Sequence, residues 1–389
     1  MNKGLIALAF GGLAIGMTEF NMMGLLMDIA KDVNISIPKA SNLIGLYALG
    51  VVVGAPTLVI ATANVPPKKV LIYLMLMFFL FNGIFSMAPN GWSLYISRFV
   101  SGLPHGAFFG VGSVVAAKLA KPGREAQAIA AMFTGMTLAN LAGIPLGTYV
   151  GHHFSWRITY GVISLLGLVT AVSIYFWLPV IEKPTINIRK QMNYFGRKEA
   201  WLIIAVISIG TGGLFAWISY IGPLVTKVSG VNEGNVPIIM FLVGLGMFIG
   251  NLIGGKLADT VIPTKAAMYS FMAMALVLVF GYFISSVEWA AYPMAFLTGA
   301  VAFSIGSSLQ MMLINSAEGA ETLAASAGQA AFNIGNSIGA YFGAIPIGLG
   351  LAYNTPMLVG AGLAFTGSVL AFVYLIKYRL RQFNNKVSK

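Results

Sequence analysis

Among the eleven acidic residues, Glu19 alone lies deep inside a long apolar run; positions 4–27 carry no other charge. An ionisable group at the centre of a membrane-crossing helix costs roughly 2.5–3.5 kcal/mol on insertion scales, so it marks function by default. Arg98 is the one basic residue inside such a run, and His105 follows it by seven residues, two turns along one helical face. Burial disfavours a carboxylate's charge and a neighbouring guanidinium favours it. A carboxyl balanced between the two effects can exchange protons near neutral pH, as a proton carrier must. On this reading Glu19 takes up a proton on one side of the membrane and releases it on the other, and Arg98 stabilises the ionised form. Two other readings stay open: Glu19 binds substrate, or Glu19 and Arg98 form a permanent ion pair that locks two helices. His105 could relay protons, hydrogen-bond substrate, or sit neutral in helix packing. Pro104 beside it frees a carbonyl one turn earlier and bends the helix.

The elements that must hold these groups follow from the composition. The chain has 389 residues, 58% hydrophobic and 9% charged. A soluble domain carries about 25% charge. Twelve apolar runs are long enough to span a bilayer, which needs roughly 20 residues. They lie at 4–27, 40–62, 69–88, 92–117, 125–150, 157–179, 200–226, 235–257, 265–285, 289–314, 322–350 and 355–377. Lys3 and the first run resemble a signal peptide, but the run is too long and lacks a small-residue cleavage site, so it reads as an uncleaved span. With the N-terminus in the cytoplasm, eighteen Lys and Arg fall on the cytoplasmic side. Four (Lys31, Lys39, Arg157, Lys227) fall outside, and Arg98 is within the membrane. The positive-inside rule therefore puts both termini in the cytoplasm. The depths agree too: Glu19 is roughly 12 Å and Arg98 roughly 9 Å from the outer surface, at 1.5 Å per residue.

The longest connection, 181–199, is polar and basic and falls at mid-chain, so it reads as a cytoplasmic linker between six-helix bundles at 1–180 and 200–389. Sliding the chain against itself by 196 residues supports two repeats. At that offset Gly16 meets Gly212, Gly50 meets Gly246, Gly54 meets Gly250 and Pro67 meets Pro263. Lys69 meets Lys265, Gly123 meets Gly319, Glu125 meets Glu321, Asn140 meets Asn336, Gly143 meets Gly339 and Gly147 meets Gly343. Six helices per half give both halves one orientation. Parallel repeats of this kind place a substrate site near the midplane and work by alternating access. The fold class is an all-α membrane protein of twelve helices in two parallel six-helix repeats.

The chain resembles the major facilitator superfamily over essentially its whole length, and within it the drug–proton antiporter branch, near arabinose-efflux-like and nucleoside-efflux-like members. The residues that carry this are Thr18-Glu19-Phe20, then Arg98 with Ser101-Gly102-Leu103-Pro104-His105-Gly106. Asn140, Gly143-Ile144-Pro145-Leu146-Gly147 and Ser155-Trp156-Arg157 complete the set. The resemblance implies a bacterial inner-membrane exporter and neighbouring helices 1 and 4. Two segments depart from the family pattern. The loop Ala61-Thr62-Ala63-Asn64-Val65-Pro66-Pro67-Lys68-Lys69 lacks the usual acid, which survives as Asp259 at the position matched to Ala63. Gly143-Ile144-Pro145 replaces an adjacent Gly-Pro.

The repeat is asymmetric at the charges: Glu19 meets Phe215 and Arg98 meets Met294. The first half is therefore assigned to protons and the second to shaping the substrate site. The substrate candidates are Phe20, Phe109, Asn140, Trp217, Tyr220, Gln329, Asn333 and Asn336, with Asn251, Ser304 and Gln310 as further neutral interior groups. Gly143, Pro145, Gly147 and Asp259 are the gating candidates. Gly102, Gly106 and Gly110, like Gly143, Gly147 and Gly151, form small-residue stripes that let helices approach closely.

Other classes fit poorly. Zero cysteines exclude a disulfide scaffold and thiolate metal ligation, and three histidines make a multi-histidine metal site unsupported. The net charge of +12 is scattered through short loops rather than clustered as a nucleic-acid face would be. No phosphate-binding loop is present to support ATP-driven transport. No nucleophile–base pair accompanies Glu19, Arg98 and His105, so enzyme chemistry is not indicated. The expected partners are a small solute, protons and lipid, with no cofactor, no nucleic acid and a monomeric chain. The expected function is proton-coupled efflux of a small organic solute such as a drug, sugar or nucleoside, with uptake by proton symport or uniport as the alternative.

Overall fold

The computed structural model describes residues 2–35, 37–182 and 193–380. It contains α-helices and connecting turns. The first six are α1 (Lys3–Asp32), α2 (Ile37–Ala61), α3 (Pro67–Ser86), α4 (Gly91–Leu119), α5 (Glu125–His153) and α6 (Trp156–Trp177). The second six are α7 (Lys198–Ile218), α8 (Val236–Thr260), α9 (Pro263–Ile284), α10 (Glu288–Ser316), α11 (Glu321–Gly348) and α12 (Thr355–Tyr374). Eleven of the twelve are long and apolar enough to cross a membrane; α11, rich in Gly, Ala, Ser and Asn, has the length but a more polar sequence.

Helix ends follow local chemistry. Asn90 and Ser93 close a reciprocal capping box at the start of α4. Proline occupies the first turn of α3, α8, α9 and α12, where a missing N–H costs nothing. α1 runs on to Asp32, beyond the expected end at 27. α7 stops at Ile218, short of the expected 226, because Pro223 interrupts it and a short turn and a π-turn (Leu224–Val228) follow.

The chain forms two compact units: Met1–Gln191 with Gly319–Ala330, and Met192–Glu318 with Ala331–Lys389. Most of the expected linker 181–199 lies outside the described residues. Of its described part, buried Tyr194 shares a hydrogen bond with Ser316 Oγ (2.8 Å) inside the second unit.

The repeat is visible atom by atom. Gly123 and Gly319 both adopt left-handed φ, 75° and 77°. Each donates its N–H to the carboxylate two residues on, Glu125 at 3.2 Å and Glu321 at 2.8 Å. In the first unit α2 crosses α4 at Gly50 and Gly54, where a Cβ would strike the carbonyls of Phe99 and Leu103. In the second α8 crosses α10 at Gly246 and Gly250, against the carbonyls of Phe296 and Ala300. Gly16 packs on Met136 and Ala139 of α5, and its match Gly212 packs on Gly335 and Gly339 of α11. Outward-facing Leu80, Phe280, Phe283 and Trp289 are more than half exposed, an apolar surface suited to lipid.

Candidate functional site

The first unit holds a buried polar network around Thr18 and Glu19 of α1. Arg98 of α4 is 1% exposed and reaches α1 with both guanidinium ends. Its Nη2 donates to the Thr18 carbonyl at 2.8 Å and its Nη1 to Thr18 Oγ1 at 3.1 Å. The Thr18 hydroxyl then donates to Asn82 Oδ1 of α3 at 2.6 Å, and Asn82 Nδ2 donates to the Phe78 carbonyl. Tyr160 of α6 donates a longer bond, 3.4 Å, to the same Thr18 carbonyl. Rings close the cage: the guanidinium lies 4.2 Å from the Tyr47 ring of α2, with Phe85 and Tyr160 at 5.6 and 5.8 Å.

The sequence allowed a Glu19–Arg98 ion pair, and the structure corrects that possibility. Among the described residues the two ion pairs are His152–Asp28 and Arg157–Asp32, and Glu19 is in neither. Glu19 is buried and forms no ion pair with Arg98. The guanidinium is committed to the residue beside Glu19. Desolvating an unpaired cation costs several kcal/mol. Two charge-assisted hydrogen bonds, worth roughly 1.5–3 kcal/mol each, and a desolvated cation–π contact offset that cost. With Glu19 ionised the buried charges cancel. With Glu19 protonated, one positive charge stays inside, held by Thr18 and the rings.

His105 is 1% exposed; its Nδ1 shares a 3.1 Å hydrogen bond with the Tyr47 hydroxyl, and its ring packs on Tyr47 and Phe109. Tyr47 thus touches both Arg98 and His105. Phe109 stacks on Phe133 at 4.8 Å and is fully buried in packing. Phe20 is half-buried. Asn140 sits in a π-turn, Ala139–Gly143, and donates to the Met136 carbonyl at 3.1 Å. Pro145, which lacks an N–H, lies in the first turn of the helical segment that follows, Ile144–His153. Gly143, Gly147 and Gly151 each face one side chain of α1: Met17, Asn21 and Leu25.

The second unit holds Trp217, buried in one apolar cluster with Met274 and Leu278, and half-buried Tyr220, which donates to the Ala340 carbonyl at 2.7 Å. Gln329, Asn333 and Asn336 fall at i, i+4 and i+7 on one face of α11. Gln329 and Asn333 are buried and engaged with neighbours, and Asn336 is half-buried. Gln329 belongs with the first compact unit, and Asn333 and Asn336 with the second. Asp259 is half-buried near the end of α8 and engaged. His152 and His153 end α5 as its last turn, where His152 meets Asp28 at 2.8 Å.

Sequence reasoning found Glu19, Arg98 and His105 but not Tyr47, Asn82 or Tyr160. Asn82 left a signal: an amide inside an apolar span needs a buried partner.

The Major Facilitator Superfamily model matches residues 8–340. The chain is 40% identical to the putative transporter AraJ of Escherichia coli (strain K12) over 375 residues, 96% of this chain and 95% of that one. It is 36% identical to the inner membrane transport protein YdhP of the same strain over 384 residues, 96% of each. It is 29% identical to a probable sugar efflux transporter of Helicobacter pylori (strain ATCC 700392 / 26695), over 93% of this chain and 90% of that one. Its fold matches the crystal structure of FucP in the outward conformation with a TM-score of 0.77 at 14% identity, covering 96% and 98% of the two chains. These relatives are transport proteins, and the chain is a transporter rather than an enzyme. It is an integral membrane protein that belongs to the Major Facilitator Superfamily.

Proposed function

We propose that this chain is a proton-coupled antiporter that exports a small organic solute by alternating access. The observation that carries the reading is Glu19: a buried carboxylate, inside a span, beside a guanidinium that is held by Thr18 and Tyr47 rather than by the carboxylate itself. A locked ion pair would hold its proton state fixed. A carboxylate near a fixed cation, but not bonded to it, is free to load and unload. Thr18, Asn82, Tyr47 and Tyr160 act as positioning residues for Arg98, and His105 joins the network through Tyr47. Phe20, Phe109, Asn140, Trp217, Tyr220, Gln329, Asn333 and Asn336 remain the substrate candidates, and Gly143, Pro145, Gly147 and Asp259 the gating ones.

Export is favoured by similarity to a protein named for sugar efflux. The drug–proton antiporter branch, the plasma membrane as location, cytoplasmic termini, a monomeric state and two bundles joined at 181–199 belong to the same proposal. Exchange kinetics test it: Glu19→Gln should still exchange labelled for unlabelled solute with no gradient, yet fail to accumulate solute in everted vesicles under a pH difference. Accumulation by Glu19→Gln at the wild-type level would refute the coupling role.

A further inference from the structure

Helix α10 is broken. Its first segment ends at Phe303, Ser304 and Ile305 form a turn, and a second segment, Gly306–Ser316, begins afresh. The break lies roughly 24 Å along the helix from Glu288, at 1.5 Å per residue, deep in the span. The matched helix α4 runs unbroken from Gly91 to Leu119. At the matched positions it carries Phe108, Gly110, Val111 and Val114 opposite Ser304, Gly306, Ser307 and Gln310. The second half has thus exchanged apolar side chains for polar ones where it opens its helix.

The break leaves hydrogen-bonding groups without protein partners. Leu309 N–H bonds back to the Ile305 carbonyl at 3.1 Å, and the N–H groups before it are the orphan donors of a helix start. Ser307 is 1% and Gln310 4% exposed, and Ser307 Oγ and Gln310 Oε1 have no hydrogen-bond partner. Side chains lean toward the N-terminus of their helix, so both lie back over the break. Gly306, Ser307 and Gln310 share one face of the segment, with Gln310 one turn from Gly306. A Cβ at Gly306 would meet no atom within 4 Å, so there is open space at this position, beside the buried Ser307 and Gln310. Ser304 is spent elsewhere: its hydroxyl bonds Val301 O and Ser270 Oγ, and Gly254 lets α8 press against its carbonyl.

We propose that the break in α10 is a subsite for a hydroxyl group of a neutral, polyhydroxylated solute. A hydroxyl donates to Gln310 Oε1 and accepts from the helix-start N–H groups and Ser307, so it satisfies both kinds of orphan at once. An anion would suit the N–H groups but has no proton to give Gln310 Oε1. A lipophilic cation would meet the positive end of a helix dipole. The subsite rests on the transport reading above and names its substrate class.

The chain has no cysteine, which makes the test clean. Gly306→Cys, placed where a side chain meets nothing, is treated with a water-soluble methanethiosulfonate in detergent, with no ion gradient. The expected result is rapid labelling, slowed at least fivefold by arabinose or ribitol and unchanged by tetraphenylphosphonium. Gln310→Leu in that background should weaken the protection by about fivefold, the loss of one neutral hydrogen bond. Ser308→Ala, on the opposite face, should leave it intact. Absence of labelling would show a dry break, and labelling without polyol protection would show water only; either overturns the subsite. Equal protection by tetraphenylphosphonium would also overturn it. Since no gradient is used, a failure here leaves proton coupling standing, and a failure of coupling leaves polyol protection standing.

Discussion

At the scale of single residues, Thr18 is the hinge of the account. Its carbonyl and hydroxyl hold the Arg98 guanidinium one position away from Glu19, so charge and counter-charge are close but unbonded. Arg98→Lys keeps the charge and loses the fork, since an ammonium cannot reach both Thr18 oxygens while lying flat on Tyr47. Transport should fall at least tenfold with insertion and yield retained, measured as solute flux per molecule in vesicles. Asn82→Leu removes the acceptor of the Thr18 hydroxyl inside the membrane, an orphaned group worth roughly 1–3 kcal/mol. A lower apparent Tm in detergent checks this. The charged pair was legible in the sequence because a charge inside an apolar run is conspicuous. Tyr47 and Tyr160 were not, because aromatic residues are common in every span and only the rotation of each helix shows which ring meets the guanidinium.

At the scale of elements, glycine decides which helices touch. Gly54→Ala and Gly250→Ala push a methyl into a backbone carbonyl that cannot move aside. Overpacking of this kind costs roughly 1–3 kcal/mol. The two substitutions should lower the thermal midpoint to similar extents, because the two crossings are repeats of one another. Gly45→Ala, also in α2 but with open space around it, should leave the midpoint unchanged or raise it. Element ends were largely readable: spans expected at 92–117 and 265–285 appear as Gly91–Leu119 and Pro263–Ile284. The break in α10 was not, since Phe303-Ser304-Ile305-Gly306 contains no proline and the run reads as continuous. The π-turn of α5 had its sign in Pro145, but the residue that fills the α1–α5 seam there, Asn21, became visible only in three dimensions.

At the scale of the whole molecule, the sequence spoke through charge and repetition. The basic residues predict cytoplasmic termini, so a fluorescent protein fused at the C-terminus should fold and an alkaline phosphatase fusion at the same point should stay inactive. Exposed ion pairs contribute little by comparison. Asp32 and Arg157 meet at 2.9 Å but remain solvent-accessible. Asp32→Asn should shift stability by less than about 1 kcal/mol, read as thermal unfolding of purified protein.

The central claim, that one carboxylate couples solute to protons, is tested most directly in liposomes loaded with a pH-sensitive dye. Purified wild type and Glu19→Gln are compared as pentoses, nucleosides, chloramphenicol-like neutrals and lipophilic cations are added in turn. The account predicts that at least one solute moves protons with wild type and that the same solute moves none with Glu19→Gln. Equal solute flux in both proteins with no proton movement would contradict it, and would make the chain a uniporter in which Glu19 serves binding or packing.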